Sequence, residues 1–246
     1  MSTTTPLTVE NIGIVRSCFK EKFGIPRQPG LADAATAVVE LTGAYADADT
    51  VRGLEQCSHL WILFLFSEHL DRKWTALVRP PRSGGKKMGV FATRSTFRPN
   101  PIGMSAVKLD RVEIRDGVPL LHIRGADILD GTPVIDIKPY LPYSDSIASA
   151  SNTYAPDGQQ LDLPVNFSPQ AIEILDASTE GQQLKQLIEQ VLRCDPRPTH
   201  QRGKAQERSY GTLLECFNVR WQITDDEIRV LSLEHTPQQP TVDKQQ

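Results

Sequence analysis

Seven short strand-like segments in the first 145 residues constrain the fold more than any other feature of the sequence. They are rich in β-branched and aromatic residues and are bounded by Gly, Pro, Asp or Asn. In chain order they read IGIVRS, TAVVELTG, HLWILFLF, MGVFAT, SAVKLDRVEI, PLLHIRGADIL and PVIDIKPY. Strands of similar length with regular turns favour a barrel or a curled sheet over alternating strands and helices.

Three details refine this prediction. Asp116 and Gly117 stand between two strand-like runs and predict a hairpin. HLWILFLF is apolar at every position but its first, which is typical of a central strand covered on both faces. The segment DADTVRGLEQCS is predicted to be a short helix capped by Asp47 or Asp49.

The last third of the chain has a different residue pattern, with both helix and strand signals. The stretch 146–164 lacks periodicity and reads as a linker, and Ser168-Pro169 then predicts the start of a helix. A second helix with apolar residues at helical spacing follows, and YGTLLECFNVRWQITDDEIRVLSLEH is predicted to form two strands. We therefore predict a mainly β protein with an α+β appendage. Its parts are a single-sheet β-barrel domain at 1–146, a linker at 147–163, a small α+β domain at 164–236 and a disordered tail at 237–246.

Composition excludes several classes of protein. With 39% apolar and 23% charged residues among 246, the chain is typical of globular proteins. No apolar run reaches the roughly 20 residues that span a bilayer, and the first residues do not resemble a signal peptide. Four cysteines and five histidines are too scattered for a metal site. We expect free thiols, no metal, no membrane association and a cytoplasmic location.

Positive charge is concentrated, although the net charge is −3. No Asp or Glu occurs from Arg72 to Leu109, a stretch that contains nine of the 27 basic residues. A second basic stretch lies at 193–208. Local basic patches on a nearly neutral protein indicate a polyanionic partner, and a solvated basic face without a partner remains the alternative.

The most constrained loop is RSTFRPNPIG. Pro99 and Pro101 fix two backbone torsions and also restrict the residues before them. Arg94 and Arg98 are thereby held at defined angles, and the planar guanidinium suits a carboxylate or a phosphate. Gly103 then permits a tight entry into the next strand. The alternative is a rigid surface turn whose arginines pair with local carboxylates.

Two further loops combine stiffness with polar side chains. GIPRQPG at 24–30 holds Arg27 and Gln28 between prolines, and DILDGTP at 127–133 places Asp127 and Asp130 beside an Asp-Gly turn. Carboxylates and exposed carbonyls suit a ribose, an amino group or a cationic ligand, although Asp-Gly turns are common in any protein. Three such loops can converge at one end of a barrel, where sites on β scaffolds often lie.

Several of these strings resemble a known family. PRQPG, SHLWILFLF, GVFATRSTFRPNPIGMS and DILDGTPVIDIKPYLPYSD resemble the TsaA-like domain of the tRNA N6-threonylcarbamoyladenosine methyltransferases, the TrmO family. DPRP and FNVRW resemble the C-terminal domain of that family, so the resemblance covers nearly the whole chain. It implies a β-barrel tRNA (adenine-N6)-methyltransferase that uses S-adenosylmethionine. The expected target is N6 of threonylcarbamoyladenosine at position 37 beside the anticodon, and the expected assembly is a homodimer in which two barrels meet.

The resemblance also implies a set of cofactor-binding residues, one of which departs from the family pattern. The set comprises Pro26, Arg27, Gln28, Ser67, Glu68, Arg94, Ser105, Asp127, Ile128, Leu129, Asp130, Gly131, Thr132 and Pro133. Relatives often carry His where this chain has Ser67.

Basic residues of both stretches are expected to meet phosphates of the tRNA anticodon stem-loop. They are Arg79, Arg82, Lys86, Lys87, Arg98, Arg197, Arg202 and Lys204. The target nitrogen must lose a proton, but the sequence does not identify the catalytic base. Asp136, Tyr140 and Asp145 are candidates only because they follow the cofactor loop. Two other functions stay open from the residues alone, namely a noncatalytic RNA-binding module and a barrel methyltransferase acting on a small molecule.

Overall fold

The chain folds into two compact units. The computed structural model describes residues 8–158, 160–198, 201–202 and 206–237, with side chains omitted at 206 and 207. The first unit contains the chain up to Ser17 together with Arg27–Gly158, and the second contains Cys18–Pro26 together with the described residues from Gln160 on, so the boundary falls inside the predicted linker at 147–163. Lys204 and residues 238–246 of the predicted tail lie outside the described residues.

The first unit is built on eight strands and one short helix. The strands are β1 (Gly13–Ser17), β2 (Thr36–Leu41), β3 (His59–Leu65), β4 (Leu77–Val78), β5 (Met88–Gly89), β6 (Ile102–Arg115), β7 (Val118–Arg124) and β8 (Thr132–Pro139), and the helix α1 is Pro142–Asp145. Six of them close an antiparallel barrel in the order β1-β2-β7-β6-β3-β8. The predicted single-sheet barrel is confirmed.

The barrel core follows from alternation along the strands. In β3, Leu60, Ile62 and Phe64 face the interior and are buried, whereas Trp61 and Leu63 on the outer face are half-buried. The strand is therefore not covered on both faces, and that prediction was wrong. Neighbouring strands complete the core with Val15, Val39, Val107, Leu121, Ile123 and Val134. Each buried aliphatic side chain stabilises the fold by about 1.5–3 kcal/mol.

The turn between β6 and β7 is the hairpin predicted at Asp116 and Gly117. Asp116 and Gly117 adopt positive φ values of 51° and 83°, and Arg115 pairs with Val118 across the turn. Such a conformation is typical of two-residue hairpin turns, in which Asp-Gly is favoured because both central residues need positive φ. The long β6–β7 hairpin is thus specified locally.

Two predicted elements differ in the structure. Only Met88–Gly89 of MGVFAT forms a strand, which pairs with β4 outside the barrel before a 3-10 turn at Val90–Ala92. The Thr93 hydroxyl donates to the Val90 carbonyl at 2.9 Å and stabilises that turn. The predicted helix near residue 50 is instead two 3-10 turns, Ala48–Val51 and Leu54–Gln56, because Gly53 at a φ of 93° interrupts it.

The second unit is a four-stranded sheet with two helices. Its elements are β9 (Val165–Phe167), α2 (Pro169–Asp176), α3 (Gly181–Arg193), β10 (Gln206–Leu214), β11 (Phe217–Ile223) and β12 (Ile228–His235), with strand order β10-β11-β12-β9. The Ser168 hydroxyl accepts a hydrogen bond from Ala171 N and caps α2 as predicted. Three strands replace the predicted two, because Glu215 at a φ of 51° turns the chain between β10 and β11.

An N-terminal segment completes the second unit. Phe19 is fully buried and forms a β-bridge with Leu214, and Leu213 N donates to the Glu21 carboxylate at 2.9 Å. Cys18–Pro26 therefore leaves the barrel after β1, packs with the C-terminal residues and returns at Arg27. None of the helices in the described ranges has the length and apolarity that crossing a bilayer requires.

Candidate active site

Antiparallel pairing brings the three stiff loops to the same end of the barrel. Val15 near the end of β1 pairs with Thr132 at the start of β8, and Leu65 at the end of β3 pairs with Ile102 at the start of β6. The connections β1–β2, β3–β6 and β7–β8 all cross this end, which we call the site mouth. They contain Arg27–Gly30, Arg94–Pro101 and Asp127–Gly131 respectively.

Side chains from different loops meet at the site mouth. The Arg94 guanidinium donates to Oε1 of Gln28 and lies close enough to Asp127 to favour its charged form. Ser105 Oγ donates to Asp127 Oδ1 at 2.5 Å, and Ser105 is only 1% exposed on the inward face of β6. We call Gln28, Arg94, Ser105 and Asp127 the mouth cluster. Two hydrogen-bonded pairs of residues distant in sequence, Gln28 with Arg94 and Ser105 with Asp127, therefore lie within electrostatic range of each other.

Asp127 is electrostatically unusual. Burial raises the pKa of its carboxyl group to about 6 from an ordinary value of 3.8. The hydrogen bond from Ser105, a backbone N–H and the positive charge of Arg94 all act to lower the pKa, but burial is the larger effect. A carboxyl group whose pKa is strongly raised by burial beside a charged partner is typical of a functional site, and a cationic ligand would favour its ionised form.

The turn after β7 presents backbone as much as side chains. Thr132 Oγ1 donates to the Leu129 carbonyl at 2.7 Å and fixes the turn, while Gly131 adopts a φ of 76° with open space around its Cβ position. Ile128 is buried in the barrel core and Thr132 is also buried. Among the predicted cofactor residues, these two can offer a ligand their backbone rather than their side chains.

Ser17 was not predicted at this site. Its backbone N–H, at the end of β1, donates to Asp130 Oδ1 at 2.8 Å. Gly131 N donates to the Val15 carbonyl at 2.8 Å beside it. The turn is thus fastened to β1, and nothing in the local sequence around Ser17 signals this contact.

The PRQPG turn is held against the end of β7. Gly30 N donates to the Gly125 carbonyl at 2.9 Å, and a Cβ on Gly125 would lie 3.3 Å from the Gly30 backbone. Gln28 Nε2 donates to the Arg27 carbonyl at 2.5 Å, so the turn also has an internal bond. Pro26 is the last residue of the segment that packs in the second unit.

Arg98 braces its own loop. Its guanidinium donates to the carbonyls of Thr93 at 2.7 Å and Val90 at 3.3 Å, both of which belong to the same connection between β3 and β6. Phe66 N donates to the Pro101 carbonyl at 2.8 Å and ties the loop to the end of β3. Gly103 has no positive φ. It is required for space, because a Cβ there would lie 2.4 Å from the Phe64 ring.

The remaining predicted cofactor residues also lie at the site mouth. Ser67 and Glu68 form a 3-10 turn with His69 directly after β3, and Pro133 is the second residue of β8. Among the described residues, no group of three or more His, Cys, Asp or Glu side chains could hold a metal ion.

Two of the candidate bases lie at the other end of the barrel. β8 runs from Thr132 at the site mouth to Pro139 at the opposite end, which is about 23 Å away at the usual rise per residue. Tyr140 follows it and donates its N–H to the His59 carbonyl at 3.0 Å. Asp145 accepts from Trp61 Nε1 at 2.9 Å. Within one chain, Tyr140 and Asp145 are therefore separated from the mouth cluster. Asp136 lies part-way along β8.

Basic residues of the first stretch surround the β4–β5 hairpin. Arg79, Lys86 and Lys87 are exposed, and Arg82 is half-buried beside Asp157, whose carboxylate lies 3.7 Å from its guanidinium.

Arg197 behaves differently from these residues. It is only 6% exposed, and its guanidinium is paired with both carboxylate oxygens of Asp195 at 2.7 and 3.1 Å. Arg202 donates to the Arg197 carbonyl at 3.2 Å in the same network. Pairing Arg197 with a phosphate would break this two-point ion pair and leave the buried Asp195 carboxylate with only the longer contact to Arg202, whose Nε lies 3.5 Å from Oδ2. Weakening a buried ion pair in this way is unfavourable. We therefore leave Arg197 out of the proposed RNA surface.

Comparison with known proteins agrees with this architecture. A family model described as the tRNA-methyltransferase O N-terminal domain matches residues 14–146, and a model of the TrmO C-terminal domain matches residues 160–236. The chain belongs to the tRNA-methyltransferase O (TrmO) family. The family predicted from the sequence motifs is thus confirmed.

Two bacterial relatives match over nearly their full length. The chain is 47% identical over 227 residues to an Escherichia coli K12 protein named tRNA (adenine(37)-N6)-methyltransferase, covering 92% of this chain and 97% of that protein. It is also 47% identical over 232 residues to a Pseudomonas aeruginosa protein named putative S-adenosylmethionine-dependent methyltransferase RcsF, with coverage of 92% and 97%. A crystal structure of TrmO from P. aeruginosa matches with a TM-score of 0.78 at 42% identity, covering 95% of this chain and 99% of that one.

Proposed function

We propose that this TrmO protein is an S-adenosylmethionine-dependent tRNA methyltransferase that methylates N6 of threonylcarbamoyladenosine at position 37. The names of its relatives support adenine-N6 methylation at position 37 of tRNA. The motif resemblance supports the threonylcarbamoyl group on that adenosine. In the chain itself, the mouth cluster is the observation that carries the proposal, because it joins an arginine and a titratable carboxyl group at one end of the barrel.

The donor set fits S-adenosylmethionine, which supplies an electrophilic methyl group on a sulfonium cation. The Arg94 guanidinium suits the carboxylate of the methionine portion, since a guanidinium and a carboxylate form charge-assisted hydrogen bonds. The carboxyl groups of Asp127 and Asp130 suit the amine or the ribose hydroxyls. The open turn at Gly131 allows a ligand to approach the backbone.

Fixed loops give the residues of this chain their positioning role. Arg98 braces the loop that carries Arg94, and Ser17 fastens the turn that carries Asp130. Methyl transfer requires the target nitrogen in line with the methyl group at about 3–3.5 Å. A mouth whose loops are cross-linked in this way supports such alignment better than mobile loops would.

Exposed cations in the connection between β3 and β6 supply the attraction for tRNA. Arg79, Lys86 and Lys87 contribute positive charge in a stretch without carboxylates, which suits the phosphates of the anticodon stem-loop. The family resemblance supports a homodimer in which two barrels meet. Because tRNA is the substrate, we place the reaction in the cytoplasm.

Mass spectrometry of tRNA nucleosides tests the proposal. tRNA with and without prior threonylcarbamoylation is incubated with the protein and S-adenosylmethionine, and an incubation without the methyl donor serves as control. We expect threonylcarbamoyladenosine to gain one methyl group only when all components are present. Equal methylation of unmodified adenosine would contradict the proposed nucleoside, and no methylation of either tRNA would contradict the proposed enzyme.

A further inference from the structure

Three aromatic side chains stand out on the stretch that lacks carboxylates. Phe91 is 77% exposed, Trp74 is 53% exposed and Phe97 is 36% exposed. Leu70 and Leu77 beside them in sequence are also exposed. Several large apolar side chains left exposed in one stretch of chain commonly mark an interaction site.

Backbone bonds hold the three aromatic residues on one frame. Thr75 N, directly after Trp74, donates to the Phe97 carbonyl at 3.3 Å. Val90 N, directly before Phe91, donates to the Ala76 carbonyl at 3.0 Å. Trp74, Phe91 and Phe97, which we call the aromatic surface, are therefore carried by segments that are tied to one another.

Further contacts fix the rings without covering them. The Arg98 guanidinium lies 5.8 Å from the centre of the Phe91 ring, and the same group is anchored to the Thr93 carbonyl. The Phe97 ring meets His69 edge to face at a centroid distance of 5.0 Å. Pre-positioned aromatic rings bind a planar group at a lower entropic cost than mobile rings do.

Charge determines what kind of partner the aromatic surface fits. Exposed Arg72, Lys73, Arg79, Lys86 and Lys87 share its stretch of chain, which contains no Asp or Glu to neutralise them. In a two-fold contact the same patch faces itself, so a second copy would bring these cations towards their equivalents. An RNA strand instead offers phosphates to the cations and flat bases to the rings.

We propose that the aromatic surface stacks unpaired bases of the tRNA anticodon loop. This inference rests on the proposed function, since it specifies how the same enzyme recognises its RNA. Duplex RNA keeps its bases stacked internally, so only a single-stranded loop presents base faces to the protein. The neighbouring cations bind the phosphates of the same strand, and together the two contacts distinguish the loop from its stem.

Binding of two RNAs to Phe91→Ala tests this proposal. One RNA is an anticodon stem-loop and the other is a fully paired duplex with the same stem sequence. Removing one stacked ring should weaken stem-loop binding about 10-fold, given the usual contribution of about 1–3 kcal/mol per stacked base, and leave duplex binding unchanged. The salt dependence should not change, because no charge is lost. Phe91→Trp keeps an aromatic ring at this position and should bind the stem-loop as tightly as wild type does.

Two control variants separate stacking from charge and from general surface effects. The double variant Lys86→Ala with Lys87→Ala should bind both RNAs more weakly, and its RNA binding should depend less on salt concentration. Tyr143→Ala removes an aromatic ring of similar exposure outside the carboxylate-free stretch and should change neither affinity. An equal loss of stem-loop binding in Tyr143→Ala would overturn the assignment to the aromatic surface.

Methylation and sedimentation distinguish the failure of this proposal from failure of the proposed function. If wild-type protein methylates tRNA but Phe91→Ala binds both RNAs as wild type does, stacking is overturned and the enzyme assignment stands. If wild-type protein methylates no tRNA, the proposed function fails whatever Phe91→Ala binds. If Phe91→Ala loses self-association in sedimentation velocity while RNA binding is unchanged, the aromatic surface is an interface between copies and the proposal is overturned.

Discussion

At the scale of single residues, Asp127 combines a cost in stability with a role in the site. In the folded protein its carboxyl group keeps a proton up to about pH 6, whereas in the unfolded chain it loses the proton near its ordinary value of 3.8. The folded state therefore binds more protons between these values, and the free energy of unfolding falls as pH rises from about 4 to 6. Above pH 6 the buried Asp127 carboxyl group is ionised, and the free energy of unfolding is lower than at pH 4 by at most about 3 kcal/mol from this group.

Asp127→Asn should remove this penalty. The amide oxygen still accepts from Ser105, but the side chain no longer ionises, so the melting temperature should rise at pH 7.5 and match that of wild type near pH 4. Differential scanning fluorimetry from pH 4 to 8 measures the effect. Calorimetry should show weaker S-adenosylmethionine binding in the same variant, because the asparagine has no negative charge to pair with the cationic ligand.

The two measurements on Asp127→Asn answer different questions. An unchanged or lowered melting temperature at pH 7.5 would contradict the raised pKa of Asp127. Unchanged affinity for S-adenosylmethionine would instead remove Asp127 from the cofactor site. A more stable but weaker-binding variant is the pattern expected where a site is held at the expense of stability.

Arg94→Ala should weaken S-adenosylmethionine binding about 10- to 100-fold. A hydrogen bond to a charged group contributes about 1.5–3 kcal/mol, and Arg94 supplies the guanidinium of the mouth cluster. Isothermal titration calorimetry measures the loss. Arg52→Ala is a matched control, since Arg52 is exposed and its described partner, Asp49, lies on a surface turn. Equal affinity in the Arg94 and Arg52 variants would place the carboxylate of the ligand elsewhere.

At the scale of elements, sequence patterns specified the barrel strands but not every segment with strand-like composition. β6 and β7 were predictable because alternation and an Asp-Gly turn act locally. MGVFAT has the same composition, yet it pairs over only two residues, because its partner Leu77–Val78 is short and a Thr93 hydrogen bond favours a 3-10 turn. Pairing depends on a partner strand that composition does not reveal.

Gly103 shows the same limit at one position of an element. Its sequence context suggested conformational freedom, but the structure shows a steric requirement, since the Phe64 ring occupies the space of a Cβ. Gly103→Ala should therefore destabilise the protein by about 1–3 kcal/mol, as overpacking of a core usually does. Urea unfolding measures the change.

A second substitution tests the cause of that loss. Phe64→Leu shortens the facing side chain, so the double variant Gly103→Ala with Phe64→Leu should lose less stability than the two single variants summed. Strict additivity would show that the Phe64 ring is not what excludes a side chain at position 103. Ser105 lies two residues along β6, so S-adenosylmethionine affinity in the double variant also reports whether the strand start keeps its position.

At the scale of the whole molecule, connectivity brings together residues that local sequence cannot. The three stiff loops were expected to converge at one end of a barrel, but only the strand order shows which residues meet there. It joins Gln28 to Arg94 and Ser17 to Asp130, and it sends Tyr140 and Asp145 to the opposite end. Nearness in sequence to the cofactor loop therefore does not place a residue at the site mouth of its own chain, because one strand separates the two ends of the barrel.

The same connectivity determines what a truncation can reveal. Residues 1–158 include the barrel but also Cys18–Pro26, which packs in the second unit. A fragment ending at residue 158 would therefore keep Phe19 while losing Leu214, its partner in a β-bridge. Exposing a fully buried aromatic side chain favours aggregation, so we expect this fragment to be less soluble than the full chain and to melt at a lower temperature.

Phe19→Ser separates this effect from loss of the barrel. In the fragment, the substitution should restore solubility, because it removes the exposed ring. In the full chain, it should lower the free energy of unfolding by about 3–5 kcal/mol, because it leaves a cavity and a buried hydroxyl. Soluble yield and urea unfolding measure the two effects.

A wild-type fragment as soluble and stable as the full chain would show that Phe19 does not depend on the second unit. Loss of tRNA methylation in the fragment would then identify an RNA role for the C-terminal residues.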